Sequence, residues 1–543
     1  MSGNKPGTTL VTLFPEIFPI IASHLPFYVQ SSTLLALGLT DRRLNKIIIP
    51  RLLYQKVFLK GEERTLRVLK AFKTEVHGID KEKISQLDAN IIPITYHIRR
   101  LSISSELSKE AQKSGVDALT ELFNLIDICG LPNLVSLAIH MDDGLGWNME
   151  DNYKIITNSG RPGRSFWASL KEKCPKVKEI SLTGVVDYEE NRWFEESNVY
   201  EYQGLERFRL EYIREYPGEA ESTAASGLER LFDTLSASFS LLHTLDLSIE
   251  DANYVDATVR SGLFTRCFPR LRVLILGKFM ARTAEVASEF WTFHPLLERI
   301  ELASIPGNWF NGLSPGVLAR LKILKAPFPD VRTLLPLLKD QLINLTISSS
   351  INGQVPYLLR SVLPNGLASL RSLGIYQGAS NHSRKVNWEG SRWLEDEHGN
   401  ISESSKRKAA RPFDANYIMS LARGAPNLEE LELIGESKPP IEPIALALAN
   451  FSNLKRLYIL ATDNGGIDSF VSPECRIPLL IVARVFAEEC RTLESVTAVP
   501  RDSWGMHSAI KIQRDVNGEI SLEEELGSGR IMGLEDENDQ VFI

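Results

Sequence analysis

Leucine and other apolar residues recur along the chain with one fixed spacing, in which two positions separate the first pair and one position separates the second pair. The clearest copy lies between Phe268 and Gly277, where Leu271, Leu274 and Leu276 hold the three apolar positions. Self-similarity of this kind, at intervals of roughly 20 to 29 residues, is typical of a leucine-rich-repeat solenoid. The other copies are Ile98/Leu101/Ile103, Leu134/Leu137/Ile139, Val177/Ile180/Leu182, Leu205/Phe208/Leu210, Leu242/Leu245/Leu247, Leu297/Ile300/Leu302, Leu342/Leu345/Ile347, Leu370/Leu373/Ile375, Leu428/Leu431/Leu433 and Leu454/Leu457/Ile459, with less regular copies at Leu321/Leu324/Ala326 and Leu493/Val496/Ala498.

This spacing predicts an α/β fold and identifies its core. Successive side chains of a strand point to opposite faces, so the second and third apolar residues of each copy share one face. One such strand cannot bury its apolar side alone, and we expect neighbouring strands to stack into a parallel, concave sheet with helices outside it. Apolar stripes with a period of 3.6 predict those helices at Val116 to Cys129, Leu228 to Phe239, Glu285 to Phe293, Val331 to Lys339, Tyr417 to Arg423 and Ile481 to Cys490.

The first sixty residues do not follow the repeat. Their apolar positions predict three short helices, one from Pro15 to Leu25, one that begins after Ser32 and one that ends at Pro50, with a short strand around Phe58. The predicted organisation is a flexible N-terminus at 1–10, a helical module at 11–54, a solenoid at 55–500 with a polar insertion at 377–413, and a C-terminal segment with an acidic tail at 501–543.

Charge and cysteine content indicate which partners the chain is unsuited to bind and in which compartment it occurs. The chain has 61 basic and 69 acidic residues, and a net charge of −8 argues against a nucleic-acid-binding surface. Five cysteines occur without any C-x-x-C pair, which favours a reducing compartment. The apolar run from Leu10 to Leu25 is interrupted by Glu16 and two prolines, so we expect neither a secretory signal nor a membrane span. These features predict a cytoplasmic or nuclear protein.

Four short segments between residues 11 and 54 share a family resemblance. They are Phe14-Pro15-Glu16-Ile17 at the family's Leu-Pro-x-Glu-Ile opening, Leu25-Pro26 at the end of the first helix, Leu34-Leu35-Ala36-Leu37 in the leucine-rich second part, and Arg42-Arg43-Leu44 at the Cys-Arg-Arg-aromatic segment, where Asp41 replaces the usual cysteine. The region resembles an F-box, the module by which substrate receptors of cullin-RING ubiquitin ligases bind the S-phase-kinase-associated adaptor. Together with the repeats, the chain resembles F-box/leucine-rich-repeat proteins, notably the large fungal type with irregular P-N-L-x-x-L repeats.

The resemblance implies that the chain is a non-catalytic substrate-recognition subunit of an SCF-type ubiquitin ligase, with the adaptor and cullin complex as partners. An alternative interpretation of residues 11–54 is a helical cap that shields the open end of the solenoid. The chain would then be a leucine-rich-repeat scaffold for protein interactions that is not linked to ubiquitination. The adaptor-binding residues that the resemblance implies are Phe14, Pro15, Ile17, Leu25, Leu34, Leu35 and Leu37.

A protein target is expected on the concave face of the sheet, where parallel strands align their outward residues into rows. The mixed charge of these residues suits a protein partner better than a phosphate backbone. The polar insertion at 377–413 carries Lys406-Arg407-Lys408 and is either a substrate-contacting loop, a nuclear-import signal or a disordered insertion. The predicted target-binding residues are Arg207, Arg209, Glu211, Arg299, Glu301, Glu430, Glu432, Arg456 and Tyr458.

The sequence contains no arrangement of residues that predicts catalysis. Its nine histidines are dispersed, and the patterns H-E-x-x-H, C-x-x-C and G-x-S-x-G do not occur. We therefore expect a protein that is not an enzyme, has no cofactor or metal and binds neither nucleic acid nor membrane. An extended repeat surface of this kind serves binding.

Overall fold

A computed structural model of the 543-residue chain shows repeated strands and helices. The described part of the chain forms two compact units, one ending at Leu242 and one beginning at His243. No helix in that part has both the length and the apolar character needed to cross a membrane. The structure describes residues 18, 27–77, 92–105, 118–128, 130–141, 166–187, 202, 204–214, 231–236, 241–251, 262–277, 279, 281, 283–302, 309–338, 341–348, 355, 358–359, 366–376, 415–435, 441–461, 479–498 and 507–527.

The first unit contains a parallel sheet whose strands follow chain order. A helical segment at 231–236 follows its last strand. The elements before that segment are α1 (Phe27–Thr40), α2 (Arg42–Ile48), a π-helical turn (Ile49–Leu53), β1 (Lys56–Lys60), α3 (Glu62–His77), a 3-10 helix (Ile94–His97), β2 (Arg100–Ser105), α4 (Ala118–Asp127), β3 (Ser136–Met141), α5 (Phe166–Lys173), β4 (Glu179–Asp187) and β5 (Arg207–Arg214).

The second unit repeats the alternation of strands with helices or turns, again in chain order. Its elements are β6 (Thr244–Asp251), a 3-10 helix (Gly262–Thr265), β7 (Val273–Gly277), α6 (Ala284–Phe293), β8 (Arg299–Leu302), β9 (Ile323–Pro327), α7 (Phe328–Leu334), a 3-10 helix (Leu335–Leu337), β10 (Asn344–Ser348), β11 (Ser372–Tyr376), α8 (Ala415–Gly424), β12 (Glu430–Gly435), α9 (Ile441–Leu448), β13 (Arg456–Ala461), α10 (Leu479–Glu489), β14 (Ser495–Ala498), β15 (His507–Arg514) and β16 (Ile520–Gly527).

The apolar repeat positions form the core, as the alternation predicts. Leu274 on β7 has Leu245 and Ile300 as its cross-strand partners, and all three side chains are fully buried. The same register continues through β14 in the second unit and from β1 to β5 in the first. The predicted α/β class and the predicted strands within each unit are therefore confirmed, and the mixed layers are those of a solenoid-like fold.

Hydrogen bonds at the start of strands β2 to β5 and β7 to β14 hold neighbouring repeats in register. The N–H groups of Arg272 and Val273 both donate to the carbonyl of His243, at 2.9 and 3.0 Å. The asparagines of the two P-N-L segments add a second link, because Asn133 Nδ2 donates to the Tyr96 carbonyl at 2.7 Å and Asn427 Nδ2 donates to the Ala368 carbonyl at 2.9 Å. Polar groups between successive repeats are satisfied by these bonds.

In the second unit, the C-terminal end of the sheet differs from the purely parallel arrangement that the repeat predicts. Strands β14 and β15 are antiparallel, and β15 forms an antiparallel hairpin with β16. Asp515 Oδ1 accepts the N–H groups of Asn517 and Glu519 at 2.8 Å, and Gly518 has a φ of +83° in the same turn. Part of the acidic stretch after Glu519 therefore forms strand β16, which the period of the leucine repeat does not predict.

Arg514 attaches this hairpin to the last repeat. Its guanidinium donates to the carbonyls of Leu493 at 2.6 Å, Ala487 at 2.9 Å and Cys490 at 3.1 Å. Two of these carbonyls lie at the C-terminal end of α10, where backbone acceptors lack helical partners and a positive charge is favourable. The guanidinium therefore adds three hydrogen bonds to the backbone pairing of β14 with β15.

We expect Arg514→Met to lower the free energy of unfolding by about 1.5 to 3 kcal/mol, because three carbonyls would lose a charged donor. Arg491→Met is the matched control, since Arg491 is exposed on the segment that follows α10. Urea denaturation of both variants would measure the difference. Equal stabilities of the two variants would show that the guanidinium contacts contribute little.

Candidate interaction surfaces

The N-terminal helices form a small module with its own core. Phe18, Leu34, Leu44, Ile48 and Leu52 are buried together, and the half-buried Leu37 and Leu53 pack against them. Helix α1 begins at Phe27, whereas the sequence predicted a start after Ser32. The module is thus stabilised by contacts within residues 18–53.

The side chain of Asp41 has a structural role. It stands at the position where F-box proteins usually have cysteine. Its Oδ1 accepts the N–H of Leu44 at 3.2 Å, and α2 begins at the next residue, Arg42. This is the geometry of a helix N-cap, in which a side chain satisfies a backbone donor in the first turn. The aspartate that replaces cysteine in the F-box pattern therefore stabilises the start of α2.

The predicted adaptor-binding residues fall into three groups. Leu34 is buried in the module core and Leu37 packs against it, so the structure gives both a structural role. Leu35 is 43% exposed, and Leu39, one helical turn further along, is 70% exposed. Phe14, Pro15, Ile17 and Leu25 lie outside the described residues. The sequence reasoning missed Leu39, although an apolar pair at i and i+4 is a recognisable signal for one helix face.

In the first unit, the outward strand positions form rows across the sheet. One row runs Phe58, Ser102, Ala138, Ser181 and Arg209 by cross-strand register. Phe58 on β1 is 54% exposed, whereas the three small central residues are partly or fully buried. The predicted target-binding residues Arg209 and Glu211 lie on β5 and are half-buried. Within this row, Phe58 is therefore the residue most accessible to a partner.

Glu179 is held between two arginines on this face. Its Oε1 lies 3.9 Å from Arg100 Nη2 and 3.7 Å from Arg207 Nε, and the buried Ser136 lies between Arg100 and Glu179 in the row. The side chain of Arg207 is only 14% exposed. The sequence predicted Arg207 as a solvent-facing contact residue, but the structure places it against a buried carboxylate, so its main role here is structural.

In the second unit, two predicted contact residues are covered by their neighbours. Arg299 is 5% exposed, and its Nε donates to Glu301 Oε1 at 2.8 Å. Lys325 Nζ lies 3.8 Å from Glu301 Oε2. The expectation that Arg299 faces solvent is wrong, because its side chain is buried and ion-paired with a carboxylate two residues along the same strand. Glu301 is half-buried and links the two cations.

Glu432 is the most deeply buried of the predicted contact residues, at 1% exposure. Tyr376 Oη donates to its Oε2 at 3.0 Å, and Lys325 Nζ lies 5.9 Å from the Tyr376 ring centroid. Burial raises the pKa of Glu432 from 4.5 to about 7, although the Tyr376 hydrogen bond and the Lys325 charge oppose this shift. The expectation that Glu432 is solvent-facing is wrong, because it belongs to a buried polar pair.

The remaining predicted residues stay at the surface of β12 and β13. Arg456 Nη2 contacts Glu430 Oε1, and these two residues are cross-strand partners. Tyr458 is the cross-strand partner of Glu432 and is half-buried. This part of the second sheet therefore offers a charge-paired surface with one aromatic residue.

The titration of Glu432 leads to a pH-dependent stability. The pKa of the Glu432 carboxyl is higher in the folded chain than in the unfolded chain, so its protonation stabilises the fold. That stabilisation is fully present below pH 4.5 and is lost as the pH rises towards 7. The loss is on the order of 3 kcal/mol. In Glu432→Gln the amide oxygen still accepts from Tyr376, so the variant should gain stability relative to the natural chain as the pH rises from 5 to 8.

Thermal unfolding of both proteins at pH 5 and pH 8 would test this expectation. Burial lowers the pKa of His294 to about 4, which changes the stability with pH in the opposite direction. Since both proteins contain His294, its effect cancels in the comparison. A difference in Tm between the two proteins that stays constant across this range would contradict the assignment of the titration to Glu432.

His294 is a single histidine that is buried in the core of its repeat. It accepts the Phe268 N–H through Nε2 at 2.8 Å, and its Nδ1 lies 2.6 Å from the Phe290 carbonyl. Both ring nitrogens are therefore satisfied within the repeat. Among the residues that the structure describes, no group of three or more His, Cys, Asp or Glu side chains is arranged to hold a metal ion.

Comparison with known proteins finds structural likeness only at a distance, for example to a chain of known structure in yeast. No family model matches the sequence, and no curated protein matches it. The chain is similar to a chain in the crystal structure of the Rad7 and Elc1 complex in yeast, with a TM-score of 0.35 and 12% sequence identity over 78% of this chain and 88% of that chain. Functional inference therefore rests on the residues of this chain.

Proposed function

We propose that this protein is a non-catalytic substrate-recognition subunit of an SCF-type ubiquitin ligase. The helical module at residues 11–54 binds the S-phase-kinase-associated adaptor, and through it the cullin. The outward strand faces of the repeats bind a protein target. Both the cytoplasm and the nucleus suit this role.

The observation that carries the proposal is the exposure of Leu35 and Leu39 on a module whose described core residues lie elsewhere. Both leucines lie on one side of α1, and Leu35 belongs to the segment Leu34-Leu35-Ala36-Leu37 that resembles the leucine-rich second part of the F-box. Covering a leucine side chain yields roughly 1.5 to 3 kcal/mol, and the gain scales with the area removed from water. The pair is therefore suited to a partner surface, since neither leucine belongs to the described core of the module.

The repeats support the second half of the proposal. Successive strands present rows of polar, charged and aromatic side chains on one face, while their leucines fill the core. A solenoid of this kind exposes a large surface for binding. The target meets that surface, while the ligase machinery meets the module.

Affinity purification of the tagged full-length chain from cells would test the proposal. We expect the S-phase-kinase-associated adaptor and a cullin among the co-purified proteins, at amounts comparable with the tagged chain. Recovery of protein partners without the adaptor or a cullin would favour a repeat scaffold that is not linked to ubiquitination.

A further inference from the structure

Two strands in the described part of the chain have one edge that pairs with no other described strand. Strand β1, the first of the first unit, pairs only with β2, and β16, the last of the second unit, pairs only with β15. Such an edge carries a row of backbone N–H and C=O groups that can bond to a further strand. Phe58 and Lys60 on β1 and Glu523 on β16 are exposed, so both strands are accessible.

On β1, the backbone groups of every second residue point to the free edge. The N–H of Gly61, directly after the strand, donates to the Ser104 carbonyl of β2 at 3.2 Å. Successive residues of a parallel strand alternate in the side to which their backbone groups point. The N–H and C=O groups of Lys56, Phe58 and Lys60 therefore point away from β2.

The same alternation locates the free groups of β16. The Asp515 N–H donates to the Glu519 carbonyl at 3.1 Å, so Glu519 bonds across the hairpin to β15. Every second residue after Glu519 bonds to β15 as well. The backbone groups of the residues in between, Ile520, Leu522 and Glu524, point to the free edge.

The outward faces of the two strands also correspond. Lys60 lies on the outward face of β1, since the neighbouring Leu59 is buried in the core. Glu523 lies on the outward face of β16, because it is opposite Lys511 of β15, which is opposite Ser495 of β14. A sheet that continued from β16 to a β1 strand could therefore keep the carboxylate and the cation on one face.

The side chains of the two edges are complementary along five positions. Strand β1 reads Lys-Val-Phe-Leu-Lys from Lys56, and the segment that begins at Glu519 reads Glu-Ile-Ser-Leu-Glu. With the two segments side by side, a cation meets a carboxylate at each end, and apolar residues meet on the inward face. The pairs are Lys56/Glu519, Val57/Ile520, Phe58/Ser521, Leu59/Leu522 and Lys60/Glu523.

The backbone groups fit the same register. In a parallel pair, a residue that faces the partner strand bonds to the two residues that flank its opposite number. Leu522 lies opposite Leu59 in this register. Its N–H then meets the carbonyl of Phe58, and its carbonyl meets the N–H of Lys60, which are groups at the free edge of β1. An antiparallel pair with the same faces would place edge-facing groups opposite groups that point away, so only the parallel pair fits.

We propose that β1 of one copy of this chain pairs in parallel with β16 of a second copy, in the register that places Lys60 opposite Glu523. Charge selects this pairing, because two β1 strands would oppose their lysines and two β16 strands would oppose their glutamates. The contact is head to tail, so joined copies keep one edge of each kind and can extend beyond a dimer. The inference rests on the two strands and does not depend on the proposed function.

The association is expected to be weak and sensitive to salt. It covers one strand on each side, which is typical of small, transient interfaces. The ion pairs at its two ends are exposed, and salt screens them. The chain should therefore be a monomer at low micromolar concentration, where the mass of its adaptor complex is measured, and associate reversibly at higher concentration in low salt.

Sedimentation velocity of the full-length chain over a range of concentrations tests the inference. At low salt we expect the average mass to rise with concentration, and at high salt we expect it to stay at that of the monomer. A monomer mass at every concentration in low salt would overturn the inference.

Charge-swapped variants identify the two edges. One variant combines Lys56→Glu with Lys60→Glu, and the other combines Glu519→Lys with Glu523→Lys. Each variant alone has two edges of the same charge and should remain a monomer where the natural chain associates. An equimolar mixture has opposite charges at every contact between the two variants, so it should associate with an affinity within roughly tenfold of that of the natural chain. Association of either variant alone, or a mixture that stays monomeric, would overturn the inference.

Leu522→Pro and Leu522→Ala form a matched pair for the backbone contact. Both lose the leucine side chain, but only proline removes the N–H that points to the free edge, where a strand tolerates proline. We expect Leu522→Pro to associate at least about tenfold more weakly than Leu522→Ala, with the same circular dichroism spectrum. Equal association of the two folded variants would exclude the edge of β16 as the contact. The charge-swapped variants decide the question independently of the fold of Leu522→Pro.

Discussion

Replacing Leu274 by aspartate is expected to unfold the second unit at physiological temperature. Leu274 is fully buried on β7 between Leu245 and Ile300. Truncating a buried leucine costs about 2 to 5 kcal/mol, and an unpaired carboxylate in the same place adds several more. Since the total stability of a folded domain is only about 5 to 15 kcal/mol, the sum removes most of it.

The neighbouring position provides the matched control. Ile275 lies on the outward face of β7 and is half-buried, so Ile275→Asp adds the same charge to the same strand without placing it in the core. We expect its effect to stay below about 1.5 kcal/mol. Circular dichroism during urea denaturation measures both variants. If Ile275→Asp is the more damaging substitution, the inward register of the repeat is wrong.

The second large effect concerns the helical module. Leu35→Asp combined with Leu39→Asp should weaken adaptor binding at least a hundredfold, while the module keeps its fold. Both side chains are exposed, so the charges cost little in the free chain, but in a complex they would be desolvated against an apolar surface. A hundredfold loss corresponds to about 2.7 kcal/mol, which is within the range of an interface hot spot.

Leu446→Asp combined with Leu480→Asp is the control for this experiment. These leucines are 61% and 40% exposed on α9 and α10 of the second unit, and the change in charge is the same. Binding of purified adaptor is measured by calorimetry, with the far-ultraviolet circular dichroism spectrum as a check of folding. If the two double variants bind the adaptor with equal affinity, the adaptor contacts another surface of the chain or does not bind it at all.

The strands and their inward faces could be predicted from the sequence because each repeat carries its own local signal. Ile180 and Leu182, for example, are spaced by two, and the structure buries both completely on β4. A strand with one apolar face has only one register that buries it, so the neighbours of each leucine follow from the spacing. Helices such as Leu479–Glu489 follow from a period of 3.6 in the same way.

The state of the outward residues could not be predicted from local spacing. Alternation assigns Glu432 to the outward face, but its burial depends on Tyr376, which is 56 residues away in the chain. Arg207 is similarly covered because its partner Glu179 comes from the preceding strand. Spacing tells which face a side chain occupies, whereas exposure depends on neighbours that come from other repeats.

The antiparallel hairpin formed by β15 and β16 was also beyond local reasoning. Its strands lack the leucine spacing, and Arg514 adds to its attachment through acceptors that lie 21 to 27 residues earlier. The turn around Gly518 was visible as Asn517-Gly518, a strong hairpin signal, but the acidic residues that follow resembled a solvated tail. Contacts between distant segments therefore determine this end of the sheet.

The most direct test of the proposed function is the mass of the complex that forms when purified full-length chain is mixed with an excess of purified S-phase-kinase-associated adaptor. Size-exclusion chromatography coupled to light scattering gives that mass without labels. Our account predicts one complex whose mass exceeds that of the chain by one adaptor molecule, and its disappearance in the Leu35/Leu39 double variant. A mass equal to that of the free chain, at adaptor concentrations well above the micromolar range, would contradict it.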